Sequence, residues 1–407
     1  MRLLHTADWH VGKVLKGRSR ADEHANVLSE LVELARAQDV DGVVVAGDVF
    51  DTGAPTPESQ SLVLRAVLAL RQDRRDVMVL AGNHDNPHLL DVYRPVLGEL
   101  GIHMLGTFRR PDDGGVLAFT ARSGEPVRLA ALPFLSHRYA VRAAEALSGT
   151  PDEHNRQYAA KIAELLGALT AGFTTDTINL VSTHGTLPGG RLGGGEREAQ
   201  TIFSYYFEPA AFPTTTHYAA LGHLHRRQQI AGPCPIWYAG SPIVVDFGEE
   251  GNTPGALIVT VEPGTPAVVR EHALASARRL RTVHGTLEQL EAMAPTLGDA
   301  WLRVVVAEKP RAGLAETVRE ILPGALDVDI DERFRPTAVG RRSAAGGPGL
   351  RSPRELFRSY LETVGRGEDT AVAGLFDRLY DEETTGAAAA DEQRPTEAAA
   401  VRGGRGR

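Results

Sequence analysis

Val77-Met78-Val79-Leu80-Ala81-Gly82-Asn83-His84-Asp85 is the stretch whose reading decides the fold. Its first five residues form a short, continuous apolar run bounded by Gly, which predicts a buried strand. A strand that ends in Gly and then presents an amide, an imidazole and a carboxylate holds polar groups at a sheet edge, where ligands bind in α/β proteins. Taken alone, Gly82-Asn83-His84-Asp85 reads equally well as a polar turn, because Gly, Asn and Asp are common turn residues.

The same design recurs four more times. Residues 2–6 form a strand pattern that runs into Asp8-Trp9-His10, and 41–46 one that runs into Gly47-Asp48-Val49-Phe50-Asp51. Farther on, 177–183 ends at His184, and 218–221 ends at Gly222-His223-Leu224-His225. Helical patterns alternate with the early strands: 20–37 with Val27, Leu28, Leu31, Leu34 and Ala35 on one face, then 57–70 and 87–100. Alternation of strand and helix predicts a layered α/β domain.

Composition narrows the class. A chain of 407 residues with 42% hydrophobic content is long enough for more than one domain. No basic segment followed by an apolar run opens the sequence and no run of about 18 apolar residues occurs, so neither a signal peptide nor a membrane span is expected. One cysteine, Cys234, excludes an internal disulfide and agrees with a cytoplasmic location. Fourteen histidines beside one cysteine point to a nitrogen and oxygen metal site rather than a thiolate one. The net charge of -8 argues mildly against a protein that coats nucleic acid, although bound divalent cations would offset part of it locally.

The loop 11–20 carries Lys13, Lys16, Arg18 and Arg20, which suit phosphates or simply solvent. Two strands are expected between 115 and 132, joined near Ser123-Gly124-Glu125-Pro126, followed by a long helix over 152–172. Residues 189–197 are Gly-rich and aperiodic, a loop placed to close over substrate or merely slack. Strand patterns return over 228–231, 235–239, 255–261 and 267–272. From about 278 the pattern becomes a compact β-α-β-α-β series that supplies no ligand cluster, which reads as a small accessory domain. Residues 333–349 are Gly, Pro, Ser and Arg rich, hence a linker. Two short amphipathic helices follow within 352–382, with Leu356, Phe357, Tyr360 and Leu361 on the first and Val372, Leu375, Phe376 and Leu379 on the second. They are too small to bury those faces alone, which implies a partner surface. The low-complexity end, 387–407, is expected to be disordered.

The candidate metal ligands are Asp8, His10, Asp48, Asn83, His184, His223 and His225. That set suffices for two divalent cations if Asp48, whose carboxylate has two oxygens, is shared. Such a pair clamps a phosphoryl oxygen and lowers the pKa of a bridging water. Mixed carboxylate and imidazole donors suit Mn, Fe or Zn better than Mg or Ca. Any one of these histidines alone would read as an ordinary core or surface residue; it is their joint occurrence after strands that singles them out. His84 suits a general acid for the leaving oxygen, oriented by the carboxylate of Asp51 or, in competition, of Asp85. Asp51 is the preferred partner.

Together, Asp8-x-His10, Gly47-Asp48-x-x-Asp51, Gly82-Asn83-His84-Asp85, His184 and Gly222-His223-x-His225 resemble the motif set of the calcineurin-like metallophosphoesterases. More narrowly, LLHTADWHVGK, VVAGDVFDTGAPTPES, LAGNHDNPHLL and ALGHLHRRQQI, with Tyr238-Ala239-Gly240-Ser241-Pro242 after them, resemble the SbcD-type nuclease subunits of bacteria. The resemblance covers about residues 1–380. It implies a four-layered α/β/β/α sandwich over 1–276 that binds two Mn ions, a capping domain at 277–333, a linker at 334–351 and a partner-binding helical segment at 352–382, leaving 383–407 as a tail. It implies Asp8, His10, Asp48 and His225 on one ion, Asp48, Asn83, His184 and His223 on the other, and His84 as the catalytic residue. Position 51 is Asp where the archaeal counterpart has His, a departure that bears on any second catalytic histidine. The implied partners are an SbcC-type coiled-coil ATPase, DNA and a second copy of the chain. The implied activity is ATP-regulated 3′ to 5′ exonuclease and single-strand or hairpin endonuclease cleavage in DNA repair and recombination. Two other classes compete. A small-substrate phosphodiesterase or phosphatase of the same superfamily fits the acidic charge but gives 278–382 no task, and a non-catalytic scaffold has no use for a full ligand set.

Overall fold

Val43 and Val45 pack into one hydrophobic cluster while Val44 and Ala46 pack into another. This is the period-2 alternation of a strand covered on both faces. The computed structural model describes residues 1–136, 151–194, 205–335, 357–358, 361–362 and 370–377, without the side chains of 151–154. Two compact units result, Met1–Arg335 and Pro336–Arg407.

In chain order the first unit begins with β1 (Arg2–Thr6), the two-residue strands β2 (Val14–Leu15) and β3 (Arg18–Ser19), α1 (Ala21–Ala37), β4 (Gly42–Val45), α2 (Pro57–Leu70), β5 (Asp76–Leu80), α3 (Pro87–Gly98) and β6 (Ile102–Leu105). It continues with β7 (Val116–Thr120), β8 (Pro126–Leu132), α4 (Pro151–Thr170), β9 (Ile178–His184), β10 (Tyr218–Gly222), β11 (Gln228–Ile230) and β12 (Ile236–Tyr238). Then come β13 (Gly255–Thr260), β14 (Val268–Ala273), β15 (Leu280–Gly285), α5 (Leu287–Leu297), β16 (Trp301–Val306), α6 (Leu314–Ile321) and β17 (Ala325–Ile330).

One sheet has the order β14-β13-β1-β4-β5-β6, parallel from β1 to β6 and antiparallel at β13 and β14. The second has the order β11-β12-β10-β9-β8-β7, parallel from β12 to β8. Leu3, Val44, Met78 and Leu80 of the first sheet meet Leu129, Leu180 and Ala220 of the second in a shared core. Outside the first sheet lie α1 and α2, through Val27, Leu31, Val63 and Val67. Outside the second lies α4, through Tyr158, Ile162, Leu166 and Leu169. The layers are therefore α/β/β/α, as expected from the sequence.

Helix starts follow local chemistry. Thr56 accepts the Ser59 N–H ahead of Pro57, and Asn86 accepts the N–H groups of His88 and Leu89 ahead of Pro87, so each Pro occupies a position where no N–H is needed. Residues 280–330 build a small all-parallel sheet, β15-β16-β17, whose separate core includes Val283, Leu290, Val304 and Val318. In the second unit the rings of Phe357 and Phe376 stack with centroids 4.1 Å apart, and Arg358 pairs with Asp377 at 3.0 Å. Leu356, Tyr360 and Leu379, most of the 334–351 linker and the 383–407 tail lie outside the described residues. Among the described residues no helix is long and apolar enough to cross a membrane.

Candidate metal centre

Parallel strands of both sheets point their C-terminal ends to one place. There β1, β4 and β5 deliver Asp8, His10, Asp48 and Asn83, while β9 and β10 deliver His184, His223 and His225. The chain leaves these strands through left-handed residues: φ is 53° at Asp8, 48° at His10, 50° at Asp48 and 105° at His223. Each such non-glycine conformation costs about 1–3 kcal/mol and persists only where the surroundings fix it. They are fixed here. Asp8 donates its N–H to the Gly47 carbonyl at 2.9 Å, His10 to the Asp48 carbonyl at 3.0 Å, and His223 to the Asp8 carboxylate at 2.9 Å.

The strand ends approach so closely that glycine is obligatory at two points. A Cβ on Gly82 would lie 2.1 Å from Asp48 Oδ1. One on Gly222 would lie 2.0 Å from the Ala46 carbonyl oxygen. That oxygen accepts the Nδ1–H of His184 at 2.8 Å, turning the other ring nitrogen, Nε2, inward.

Donor atoms gather in two outer groups and one that bridges them. Asp8, His10 and His225 form one in which each residue offers an atom within 4.8 Å of the others, Asp48, His184 and His223 form the second, and His10, Asp48 and His84 meet the same distance between them. In the first, His10 Nε2 and His225 Nε2 face each other at 3.0 Å. In the second, Asn83 Oδ1 lies 2.8 Å from both His184 Nε2 and His223 Nδ1. Asp48 sits between them. Its Oδ2 is 3.5 Å from His184 Nε2 and 3.8 Å from His10 Nε2. That oxygen is buried and has no hydrogen-bond partner among the described residues, while Oδ1 accepts the His84 N–H at 2.8 Å. A single oxygen of Asp48 is thus turned toward both groups. Carboxylate, imidazole and amide oxygen converging on an unpaired buried oxygen fit divalent transition cations.

Burial sets the electrostatics. It pushes the Asp8 carboxyl up to about 7, with the charge of Asp48 adding to the effect and His184 and His225 opposing it. Burial also acts to raise Asp48, but the imidazoles of His184, His10 and His84 outweigh it and hold that carboxyl well below the usual range. His184 goes up to about 9 because Asp48 and Asp8 overcome its burial. His10 falls to about 4, burial being the main cause. Protons held on His184 and in part on Asp8 thus balance the charge of Asp48, and a bound cation would take their place.

His84 is half-buried, its ring edge-on to His10 with centroids 4.6 Å apart. Its Nδ1 lies 2.8 Å from the main-chain carbonyl of Asp51, so Nδ1 carries the proton donated there. The expectation that the Asp51 carboxylate orients His84 is thereby corrected. That carboxylate lies 3.5 Å from His10 Nδ1 and 3.4 Å from Lys13 Nζ instead, because the strand-end turn points it across the site. The competing Asp85 does not orient His84 either. Its carboxylate accepts N–H groups of Val49, Phe50 and Gly82 at 3.1, 2.8 and 2.8 Å, and so ties two strand-end loops together.

A match to the calcineurin-like phosphoesterase family model spans residues 1–227. The chain is 36% identical over 284 residues to SbcD of the Bacillus subtilis nuclease SbcCD, covering 69% of this chain and 71% of that one. It belongs to the SbcD family of calcineurin-like phosphoesterases. Relatives of the same name from Rhodobacter capsulatus and Escherichia coli K12 are 34% and 30% identical, covering 65% and 72% of this chain and 67% and 73% of theirs. As a member of this family the chain is a metal-dependent phosphoesterase.

Sequence reasoning missed Glu249. This residue is 1% exposed, and its Oε1 lies 2.5 Å from His225 Nδ1. It sits in Asp246-Phe247-Gly248-Glu249-Glu250, which carries no ligand-type spacing, so only its burial identifies it. Ser241, noted in the sequence only as part of a motif, donates its hydroxyl to the Asp8 carbonyl at 2.7 Å and anchors the first ligand turn.

Proposed function

We propose that the chain is the nuclease subunit of an SbcCD-type complex and hydrolyses phosphodiester bonds of DNA with two Mn ions. One observation carries the reading: Asp48 Oδ2, buried and without a hydrogen bond, lies between His184 Nε2 and His10 Nε2 at 3.5 and 3.8 Å, with the other donors grouped on either side of it. Asp8, His10, Asp48 and His225 then hold one cation, and Asp48, Asn83, His184 and His223 the other. When bound, such a pair supplies a water of lowered pKa and neutralises charge on phosphoryl oxygens.

The rest is the work of side chains. His84, held by its Nδ1–H on the Asp51 carbonyl, delivers a proton through Nε2 to the leaving oxygen. The Asp51 carboxylate contributes by steadying His10 and Lys13. A cavity of about 330 Å³ beside Asn83, lined by His88, Thr107 and Phe134 among others, gives the strand room next to the cleaved phosphate. In the full assignment the cleavage is 3′ to 5′ on duplex ends and endonucleolytic on single strands and hairpins, in DNA repair and recombination in the cytoplasm. ATP regulates it through an SbcC-type coiled-coil ATPase that grips the 352–382 helices, and two copies of the chain pair through their nuclease units. The name shared by the relatives supports the nuclease and its partner.

The second reading is a small-substrate phosphodiesterase, favoured by the net charge of -8, which disfavours duplex binding. The deciding experiment compares Mn-dependent cleavage of linear duplex and hairpin DNA with hydrolysis of a chromogenic phosphodiester, each beside His84→Gln. Cleavage of DNA lost in His84→Gln supports the nuclease; turnover of the small ester alone supports the second reading.

A further inference from the structure

We propose that Glu249 is a positioning residue for His225, and that docking of the small parallel sheet on the turn carrying Glu249 sets how tightly the His10/His225 position holds its cation. The inference rests on the two-cation reading above and adds to it a residue and a control element.

The two donor groups are backed differently. His184 donates Nδ1–H to a main-chain carbonyl, Ala46 O, at the end of β4 in the central core. His225 Nδ1 faces a carboxylate, Glu249 Oε1, at 2.5 Å, and His10 Nδ1 faces the Asp51 carboxylate at 3.5 Å. A carboxylate behind a ligand imidazole fixes its tautomer and ring plane and raises its basicity, and losing it costs about 10–100-fold in metal affinity. Glu249 is built for this task. Its second oxygen accepts the Val245 N–H at 2.8 Å, so both oxygens are committed and the side chain has a single orientation.

The Glu249 turn is in turn held by the small sheet. Phe247, two residues before Glu249, is buried in a cluster with Leu15, Val244, Leu280 and Trp301, and Leu326 packs against it. The guanidinium of Arg303 on β16 lies 4.7 Å from the Phe247 ring centre. Glu250, next in the chain, accepts the Thr282 N–H of β15 at 2.7 Å. On the His10 side, Lys13 reaches Asp51 at 3.4 Å and Lys16 in the same loop pairs with Asp327 of β17 at 3.0 Å. The Glu249 turn is therefore bonded to the small sheet directly, whereas Asp51 follows β4 and is linked to that sheet only through Lys13 and the segment that carries Lys16. The carbonyl behind His184 belongs to the central sheet instead. Displacing the small sheet moves Glu249 from His225 and leaves His184 in place, which makes one cation position sensitive to docking and the other not.

The test is Mn titration of the full chain, by calorimetry and electron paramagnetic resonance, for the unaltered protein, Glu249→Gln and the double variant Glu250→Ala/Arg303→Ala. Thermal midpoints are read in chelator and in Mn. Expected is a loss of about 10–100-fold in affinity for one Mn in Glu249→Gln, with the second Mn unchanged and the midpoint in chelator close to that of the unaltered chain. The double variant, which leaves every donor atom intact, is expected to weaken the same Mn by a smaller factor. Equal weakening of both ions, unchanged affinity in either variant, or a loss of midpoint in chelator without a loss of Mn affinity would overturn the proposal. If Glu249→Gln does not fold, the double variant decides alone by the same criterion. An unaltered chain that binds no Mn overturns the two-cation reading itself, and is recognisable because the failure precedes any substitution.

Discussion

Replacing Gly82 by Ala tests whether the two strand ends must touch for the site to exist. The added methyl would lie 2.1 Å from Asp48 Oδ1, 2.3 Å from its amide nitrogen and 2.7 Å from its Cγ. Ordinary contact between heavy atoms needs about 3.5 Å, so the Gly82 and Asp48 turns must separate by roughly 1 Å or more. Asp48 cannot swing aside: it is 1% exposed, its Oδ1 accepts the His84 N–H at 2.8 Å, and its carbonyl accepts the His10 N–H at 3.0 Å. Overpacking of this kind costs about 1–3 kcal/mol. A displacement near 1 Å among reacting groups costs on the order of 100-fold in rate. Denaturant unfolding gives the first quantity, and kcat on a chromogenic phosphodiester in Mn gives the second. Gly98→Ala at the end of α3 is the control, because its Cβ meets nothing within 4 Å and the change is expected to be neutral or stabilising by up to about 1 kcal/mol. Native stability together with a kcat within about threefold of the unaltered chain in Gly82→Ala would refute the close-approach argument.

His84→Gln is expected to lower kcat by about 10²–10⁴-fold while leaving Mn stoichiometry unchanged, since the ring delivers a proton rather than holding a cation; stoichiometry below that of the unaltered chain would make it a ligand. Asp85→Ala strips the acceptor from the N–H groups of Val49, Phe50 and Gly82, so unfolding free energy should fall by at least about 2 kcal/mol, and an unchanged midpoint would refute the clamp. His5 carries a pH prediction. Burial lowers it to about 3, only partly offset by its bond to the Leu221 carbonyl, and its ring also meets the Tyr218 hydroxyl at 2.8 Å. The folded pKa lies below the unfolded value, so this contribution is complete above about pH 6.5 and is lost as pH falls toward the folded pKa, by up to about 4–5 kcal/mol. His5→Gln should therefore flatten the stability profile between about pH 6 and pH 4, and an identical slope in both proteins would refute the assignment.

Much of the fold was legible because its signals are local. The apolar run 77–81, the Pro57 and Pro87 helix starts and the alternation over the first hundred residues each declare an element within a few positions, and the order of elements then restricts the layers. The seven candidate donors stood out for a related reason: each lies at the end of a strand or within a few residues after it, and parallel strands bring their C-terminal residues to one edge. The spacing of Asp48 and Asp51 suggested that the Asp51 carboxylate orients His84, yet the main-chain carbonyl does so and the carboxylate turns to His10. Nothing near Glu249 marked it, although it backs His225 at 2.5 Å from 24 residues away.

By itself, then, the sequence determined which chemical groups stand at the strand ends, because side-chain identity and strand period are properties of neighbouring residues. Only the tertiary structure decided which atom each group faces. Most buried polar atoms take a partner from whatever element packs against them, and at this site those elements are supplied by distant parts of the chain.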